Sequence, residues 1–326
     1  MRKIDLKRNA LLLLLISMVV IGGCANGGGA AVPPESSQPG VFAGEYLTQL
    51  AAVGPRTAGT PTEVATADWI QTSLEGMGYT VTREPFDYDV EGVVSKSENI
   101  IAVKKGLTDK TVILGAHYDS MDAGKGVDDN ASGIAVMLEA AKALKDVETP
   151  QNVEFIFFGA EEVGLFGSDY HVSQMTPEAI ANTVLMMNYD SLVAGDTAYA
   201  YGDAGANGKF RDRVLAIASE KGLTLITQPG ENPEFPAGTT GDWSDHASFK
   251  TAGVPYIYFE STNWTLGAKD GYTQVDTKLG VNGEIWHTEF DTMEYMNTNF
   301  PGRIEDRLKT FSTVTEALLI EDLTKL

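Results

Sequence analysis

The sequence predicts an α/β domain with a mostly parallel, mixed central sheet flanked by helices on both faces. Two observations predict it. Short and nearly continuous apolar runs occur at Thr111 to Ala116, Asn152 to Phe158, Val184 to Met187 and Val254 to Phe259. Strands covered on both faces lose the apolar/polar alternation of a half-exposed sheet, and these runs have lost it. Between the runs lie segments in which apolar residues recur every three or four positions, the period of a helix.

In order, Phe42 to Ala52 and Thr62 to Gly76 read as helices, and Tyr79 to Tyr88 and Glu98 to Lys104 as strands. Thr111 to Ala116 is the first buried strand, and Ser132 to Leu144 the helix after it. Two more buried strands, Asn152 to Phe158 and Val184 to Met187, precede a helix at Arg211 to Lys221 and a strand at Leu223 to Thr227. Val254 to Phe259 is the last buried strand, and Ile304 to Leu323 a long amphipathic closing helix. About 60 residues separate the first opening helix from the first motif, fewer than the roughly 100 of an inserted domain, so residues 41–326 read as one domain.

The N-terminus is of another kind. Arg2, Lys3, Lys7 and Arg8 precede an apolar run from Ala10 to Ile21, followed by Gly22-Gly23-Cys24. A basic segment, a short apolar core and small residues make a secretory signal over residues 1–23. The run is too short to span a bilayer as a mature helix. Cys24, the single cysteine of the chain, ends this signal as the lipid-bearing residue of a bacterial lipobox would. Residues 24–40, rich in Gly, Pro and Ser, read as a flexible tether. The expected location is therefore extracytoplasmic, at the bacterial surface or periplasm, with a lipid on Cys24.

Composition excludes several functions. The 326 residues include 45 acidic and 24 basic ones, a net charge of −21, so the chain lacks the basic footprint of a nucleic-acid binder. One cysteine permits neither an internal disulfide nor a thiolate-built zinc site. Any metal must be held by Asp, Glu and the four histidines.

Polar residues collect where the apolar strands end. His117-Tyr118-Asp119 follows the first, Gly159-Ala160-Glu161-Glu162 the second and Asn188-Tyr189-Asp190 the third, while Asp128-Asp129-Asn130-Ala131-Ser132-Gly133 opens a helix. Ligands of open α/β sheets bind beyond the carboxyl ends of the strands. Carboxylates and imidazoles beside apolar strands are costly unless something pairs them, and a cation would. Taken singly, each motif has a plain structural reading: a buried histidine with a local hydrogen bond, an Asp at a helix cap, an exposed acidic pair, a loop-capping Asp. Ser244-Asp245-His246 and Trp286-His287-Thr288-Glu289-Phe290-Asp291-Thr292 supply the candidates for a second histidine. His171, in a helical segment, reads as an ordinary histidine.

Taken in order, H-x-D, D-D-N-A-S-G, G-A-E-E-x-G-L-x-G-S, N-x-D, S-D-H-x-S-F and H-T-x-x-D-T resemble the M28 family of zinc aminopeptidases. Gly54-Pro55-Arg56-Thr57-Ala58-Gly59-Thr60 is also similar to the family, and the match runs from about Phe42 to the C-terminus. The resemblance implies two zinc ions, His117 and Asp190 on one, Glu162 and His287 on the other, and Asp129 between them. It implies Glu161 as general base and Asp119 as the residue that orients His117. Asp128 is not a ligand on this alignment, and His246 has no assigned role. The implied substrates are peptides with a free N-terminus, whose α-ammonium suits a carboxylate-rich rim. Trp286 stands where some relatives carry a Tyr donor to the tetrahedral intermediate, so the oxyanion donor is open. Two other readings are a single-zinc enzyme like glutaminyl cyclase and a non-catalytic surface binding lipoprotein. The complete ligand set and the presence of Glu161 argue against both.

Overall fold

The computed structural model describes residues 38–326. The signal sequence, Cys24 and nearly all of the tether lie outside the described residues. Among the described residues, no helix is long and apolar enough to cross a membrane.

The chain opens with helices α1 (Val41–Val53) and α2 (Pro61–Gly76). Thr60 caps α2 by accepting from the Glu63 N–H, with Pro61 at the first helical position, where a missing N–H costs nothing. A long hairpin follows, β1 (Val81–Val90) and β2 (Val93–Lys104). Its two-residue turn, Glu91-Gly92, has positive φ at both positions, 54° and 85°, the conformation that matches strand twist. The pairing thus runs two residues past the expected Tyr88 and starts five before Glu98, through a hairpin tip whose valines, Val90, Val93 and Val94, are exposed and mark no buried face.

The rest continues with β3 (Thr111–His117), α3 (Ser132–Leu144), β4 (Asn152–Phe158), α4 (Phe166–Gln174), α5 (Pro177–Asn182), β5 (Thr183–Tyr189), β6 (Thr197–Gly202), α6 (Lys209–Glu220), α7 (His246–Thr251), β7 (Tyr256–Thr262), α8 (Met293–Asn299) and α9 (Arg303–Leu319); α5, β6, α7 and α8 are additions to the expected order. The seven strands form one mixed sheet in the order β1-β2-β4-β3-β5-β7-β6. The four central strands, β4, β3, β5 and β7, are parallel, so their carboxyl ends share one rim. Both faces are covered, and the period of two shows it. Leu114, Phe155 and Phe157 enter the larger core with α1, α3, α6 and α9, while Ile113, Ile156 and Phe158 enter the smaller one with Phe249 and Val254.

Leu223 to Thr227 is not a strand. Only Ile226 makes a bridge, to Tyr199 of β6. Edge strand β6, which the sequence reading left out, takes that place in the sheet.

A buried carboxylate sets where the folded body begins. Glu139 on α3 accepts from the backbone N–H groups of Gly40 (2.7 Å) and Phe42 (3.1 Å), and Ser312 Oγ of α9 donates to it. Gly40 has φ +94°, and a Cβ there would lie 2.7 Å from the Lys309 backbone. A truncated chain should therefore keep Gly40. Nearby on α9, Glu316 is held up to about 7 by burial and by the charge of Glu139. The native state then binds a proton that the unfolded chain has released, so stability falls as pH rises from about 4.5 to about 7. Glu316→Gln should remove part of that fall, leaving the variant more stable than the parent at pH 8. Thermal unfolding at pH 5 and pH 8 checks this, and an unchanged pH dependence would contradict it.

Candidate active site

Strand β3 ends in His117, and the chain continues into Asp119. Strand β4 ends at Phe158, and a turn through Ala160 (φ 56°) presents Glu161 and Glu162. Strand β5 delivers Asp190. A tight turn, Val127–Ala131, presents Asp129 just before α3. His287, also at positive φ (55°), comes from the long segment between β7 and α8. Sheet topology brings all of these expected residues to one rim, where they line a single cavity of about 360 Å³, Asp119 excepted.

The two oxygens of Asp129 face different histidines. Oδ1 lies 3.1 Å from His117 Nε2, and Oδ2 lies 3.0 Å from His287 Nε2. His117 Nε2 is also 3.3 Å from Asp190 Oδ1, and His287 Nε2 is 3.0 Å from Glu162 Oε2. Glu161 Oε2 stands farther from His117, at 3.9 Å. Two donor groups therefore form around one carboxylate, His117 with Asp190 and His287 with Glu162. A tetrahedral zinc with bonds of about 2.0–2.1 Å puts its ligand atoms about 3.3 Å apart, close to these spacings. Among the described residues Asp129 Oδ1 has no hydrogen-bond partner although it is buried, a costly state that a cation would relieve. The donor set fits zinc in type and spacing.

The charges agree. Burial opposes the charged form of His117, but Glu161 and Asp190 nevertheless hold it well above its usual value. Contacts with Asp129 and Glu162 raise His287 to about 11. Burial, reinforced by Asp245, Asp190 and Glu162, raises Glu161 well above the ordinary carboxylate range, although His117 opposes it.

Supporting residues hold each donor. Asp190 Oδ2 accepts from Ser244 Oγ (2.8 Å), which in turn accepts from Asn188 Nδ2 (2.8 Å). Asp291 accepts from the backbone N–H groups of Val127, Asp128 and Asp129, fixing the turn that carries Asp129. Asp128 is fully engaged: Oδ1 accepts from the N–H groups of Val193 and Ala194, and Oδ2 from Gln274 Nε2. That explains physically why Asp129, not its neighbour, faces the cavity. Arg56 is wholly buried and donates to the carbonyls of Tyr118, Gly54, Lys125 and Gly126. It ties the loop between His117 and Asp129 into the body.

Asp119 does more than the sequence suggested. Its carboxylate accepts the N–H groups of Glu161 (3.0 Å) and Glu162 (3.1 Å). His117 Nδ1 lies 3.2 Å from the Asp119 carbonyl oxygen and 3.6 Å from its carboxylate. Asp119 therefore ties the β3 end to the turn that presents both glutamates. Asp119→Asn would set an NH₂ against one of those N–H groups. The fold should survive, while zinc affinity or turnover drops roughly 10–100-fold, the usual cost of losing an outer partner. Zinc titration together with rate measurements checks this, and unchanged values for both would contradict it.

The other two histidines stand apart. His171 Nδ1 lies 3.1 Å from Glu84 and its ring packs on Phe249. His246 is buried against Tyr256 and Tyr258, donates Nε2–H to the Gly241 carbonyl and is lowered to about 4 by burial. Sequence reasoning missed Asp245, a buried neighbour of the site whose two oxygens have no partner among the described residues. The signal was the S-D-H motif itself, in which attention went to the histidine.

A parallel-strand rim carrying two His–carboxylate groups around a shared aspartate defines a metal-dependent hydrolase. The chain belongs to peptidase family M28, whose model matches residues 99–312. It is 33% identical over 316 residues to the alkaline phosphatase isozyme conversion protein of Escherichia coli K12, covering 88% of this chain and 91% of that one. It is 40% identical over 167 residues to the probable lipoprotein aminopeptidase LpqL of Mycobacterium tuberculosis, covering 49% of this chain and 33% of that protein. Its fold is that of a zinc aminopeptidase from Bacillus subtilis (TM-score 0.70, 18% identity, 87% of this chain and 96% of that one). It is also that of the glutaminyl cyclase of Porphyromonas gingivalis (TM-score 0.67, 21% identity, 87% and 98%).

Proposed function

We propose that this M28 peptidase is an aminopeptidase with two zinc ions, one held by His117 and Asp190, the other by Glu162 and His287, with Asp129 shared. The observation that carries the proposal is the division of Asp129, one oxygen toward each histidine. A single-zinc site has no need of that arrangement. When bound, the ions would supply Lewis acidity and a water acidic enough to ionise near neutral pH.

The protein's own residues do the rest. Glu161 is beside the donors yet farther than they are from His117, so it is free to accept the proton of the attacking water. Its carboxylate is buried at the cavity and assigned to no metal, so it can hold that proton and then pass it to the leaving amine. The substrate's α-ammonium meets a cavity lined, among the described residues, by five carboxylates, Asp129, Glu161, Glu162, Asp190 and Glu284, and by no Lys or Arg. Trp286 also lines the cavity, and its indole N–H is a donor available to a developing oxyanion. Hydrolysis of a panel of aminoacyl amides against their N-acetylated forms tests the reading. Free amides should be cleaved and acetylated ones spared; equal rates would contradict an aminopeptidase.

Cys24 is proposed as the acylated first residue of the mature protein, holding it outside the cytoplasm through the tether. The basic segment, the apolar run and Ile21-Gly22-Gly23-Cys24 support this. Cys24→Ala should abolish incorporation of labelled fatty acid and membrane association of the full chain. Continued labelling would contradict it.

A further inference from the structure

Glu63 is a carboxylate on α2 that no step of the proposed chemistry uses. It is the third residue of the helix, where a glutamate ordinarily reaches back to the N–H of the capping residue. Such a glutamate can do this from solvent, but Glu63 is only 1% exposed. Its Oε2 accepts the Gly59 N–H (2.6 Å), one residue before the cap. Its Oε1 accepts from Ser97 Oγ of β2 (2.5 Å). Burying a charge is costly unless partners compensate it, and a helix cap needs only one of these two oxygens. The other serves a part of the molecule outside α2.

That part is the turn presenting the two active-site glutamates. Ser97 packs directly on Gly159, where a Cβ would collide with Ser97 Oγ and with the Glu98 carbonyl. The next residue, Ala160, is wholly buried at φ 56°, a left-handed conformation that alanine takes only when its surroundings hold it there. The Gly159 N–H donates to Asn99 Oδ1 (3.3 Å), and the N–H groups of Glu161 and Glu162 go to Asp119. Between them, the Ala160 N–H faces Glu63 and stabilises its charge. On the carbonyl side, Ala160 accepts from the Phe166 N–H (3.2 Å), and Glu161 from the N–H groups of Gly164 (2.8 Å) and Leu165 (2.9 Å). Asp119 thus grips the turn from the end of β3, and Glu63 grips it from α2.

Resting on the general-base reading of Glu161, we infer that Glu63 is a positioning residue for that base. With Ser97 it fixes the Gly159–Ala160 peptide, and so sets where the Glu161 carboxylate stands beside the donor groups. Glu161 is the cavity carboxylate for which this matters most. Asp129, Glu162 and Asp190 are assigned to metal, which would itself hold them in place. Glu161 has no such ligand, and its backbone alone decides its position. Misplacing a catalytic group by about 1 Å can cost roughly 100-fold in rate, even when the change is far from the chemistry.

The test is a double-mutant cycle on the zinc-loaded enzyme. Glu63→Gln keeps the shape of the side chain and removes one acceptor. It should lower kcat roughly 10–100-fold, with KM and zinc content unchanged. In a Glu161→Gln background the same substitution should cost less than about twofold, because the group it positions no longer takes the proton. Ser97→Ala cuts the link to β2 and leaves the cap intact, so it carries the same test if Glu63→Gln folds poorly, and it should show the same dependence on background. Thr60→Ala removes the cap alone, and should lower the unfolding temperature while kcat is kept. Amide hydrogen exchange reads the turn without turnover: Gly159 to Glu162 should exchange faster in Glu63→Gln and not in Thr60→Ala. An equal loss of kcat in both backgrounds, or a loss in Thr60→Ala that matches Glu63→Gln, would make Glu63 a helix cap and overturn the inference. Near-parental turnover in Glu161→Gln would instead sink the general-base reading on which it rests.

Discussion

Glu161→Gln should lower turnover by roughly 10²–10⁴-fold, the usual share of a general acid–base group, while leaving the metal content unchanged. The amide keeps the size of the side chain and removes the proton acceptor. Its oxygen stands 3.9 Å from His117 Nε2, against 3.1 Å for Asp129 and 3.3 Å for Asp190, so a ligand is not lost. Because the effect falls on the chemical step, KM should change little. The adjacent Glu162 should behave differently. Its Oε2 faces His287 at 3.0 Å and its Oε1 accepts the Met121 N–H, so Glu162→Gln should shed metal as well as activity. Loss of zinc from Glu161→Gln but not from Glu162→Gln would mean that the two roles are exchanged.

Asp129→Asn should be the most damaging ligand change. Both its oxygens are committed, one to each histidine, and an amide leaves a single acceptor. Zinc affinity should fall at both positions and by more than the roughly 10–100-fold expected of an outer partner such as Asp119. Asp128→Asn offers the contrast. It removes acceptors for Val193, Ala194 and Gln274 rather than for metal, so its main cost should be to stability. A variant pair in which Asp128→Asn loses zinc and Asp129→Asn keeps it would contradict the assignment.

The site was legible from sequence because its donors sit at the ends of apolar strands, and those ends are readable from local pattern. His117, Glu161, Glu162 and Asp190 follow β3, β4 and β5 directly. His287 and Asp129 needed the ordered motifs of the family as well. What escaped was the support beneath them. Asp128 and Gln274 are 146 positions apart and meet only once the sheet has formed. The fold followed the same rule. The central strands were plain because burial on both faces makes them largely apolar, whereas the tip of the outer hairpin is exposed and β6 at the edge alternates alanine with tyrosine. Leu223 to Thr227 looked like a strand because short apolar runs also occur where a chain merely crosses a sheet edge, as Ile226 does beside Tyr199.

Zinc content at saturation tests the central claim most directly. Elemental analysis of the purified chain, titrated with zinc until activity no longer rises, should give two ions per chain, with hydrolysis of free aminoacyl amides appearing as the sites fill. One ion per chain at saturation, with cyclisation of N-terminal glutamine in place of peptide-bond hydrolysis, would contradict it.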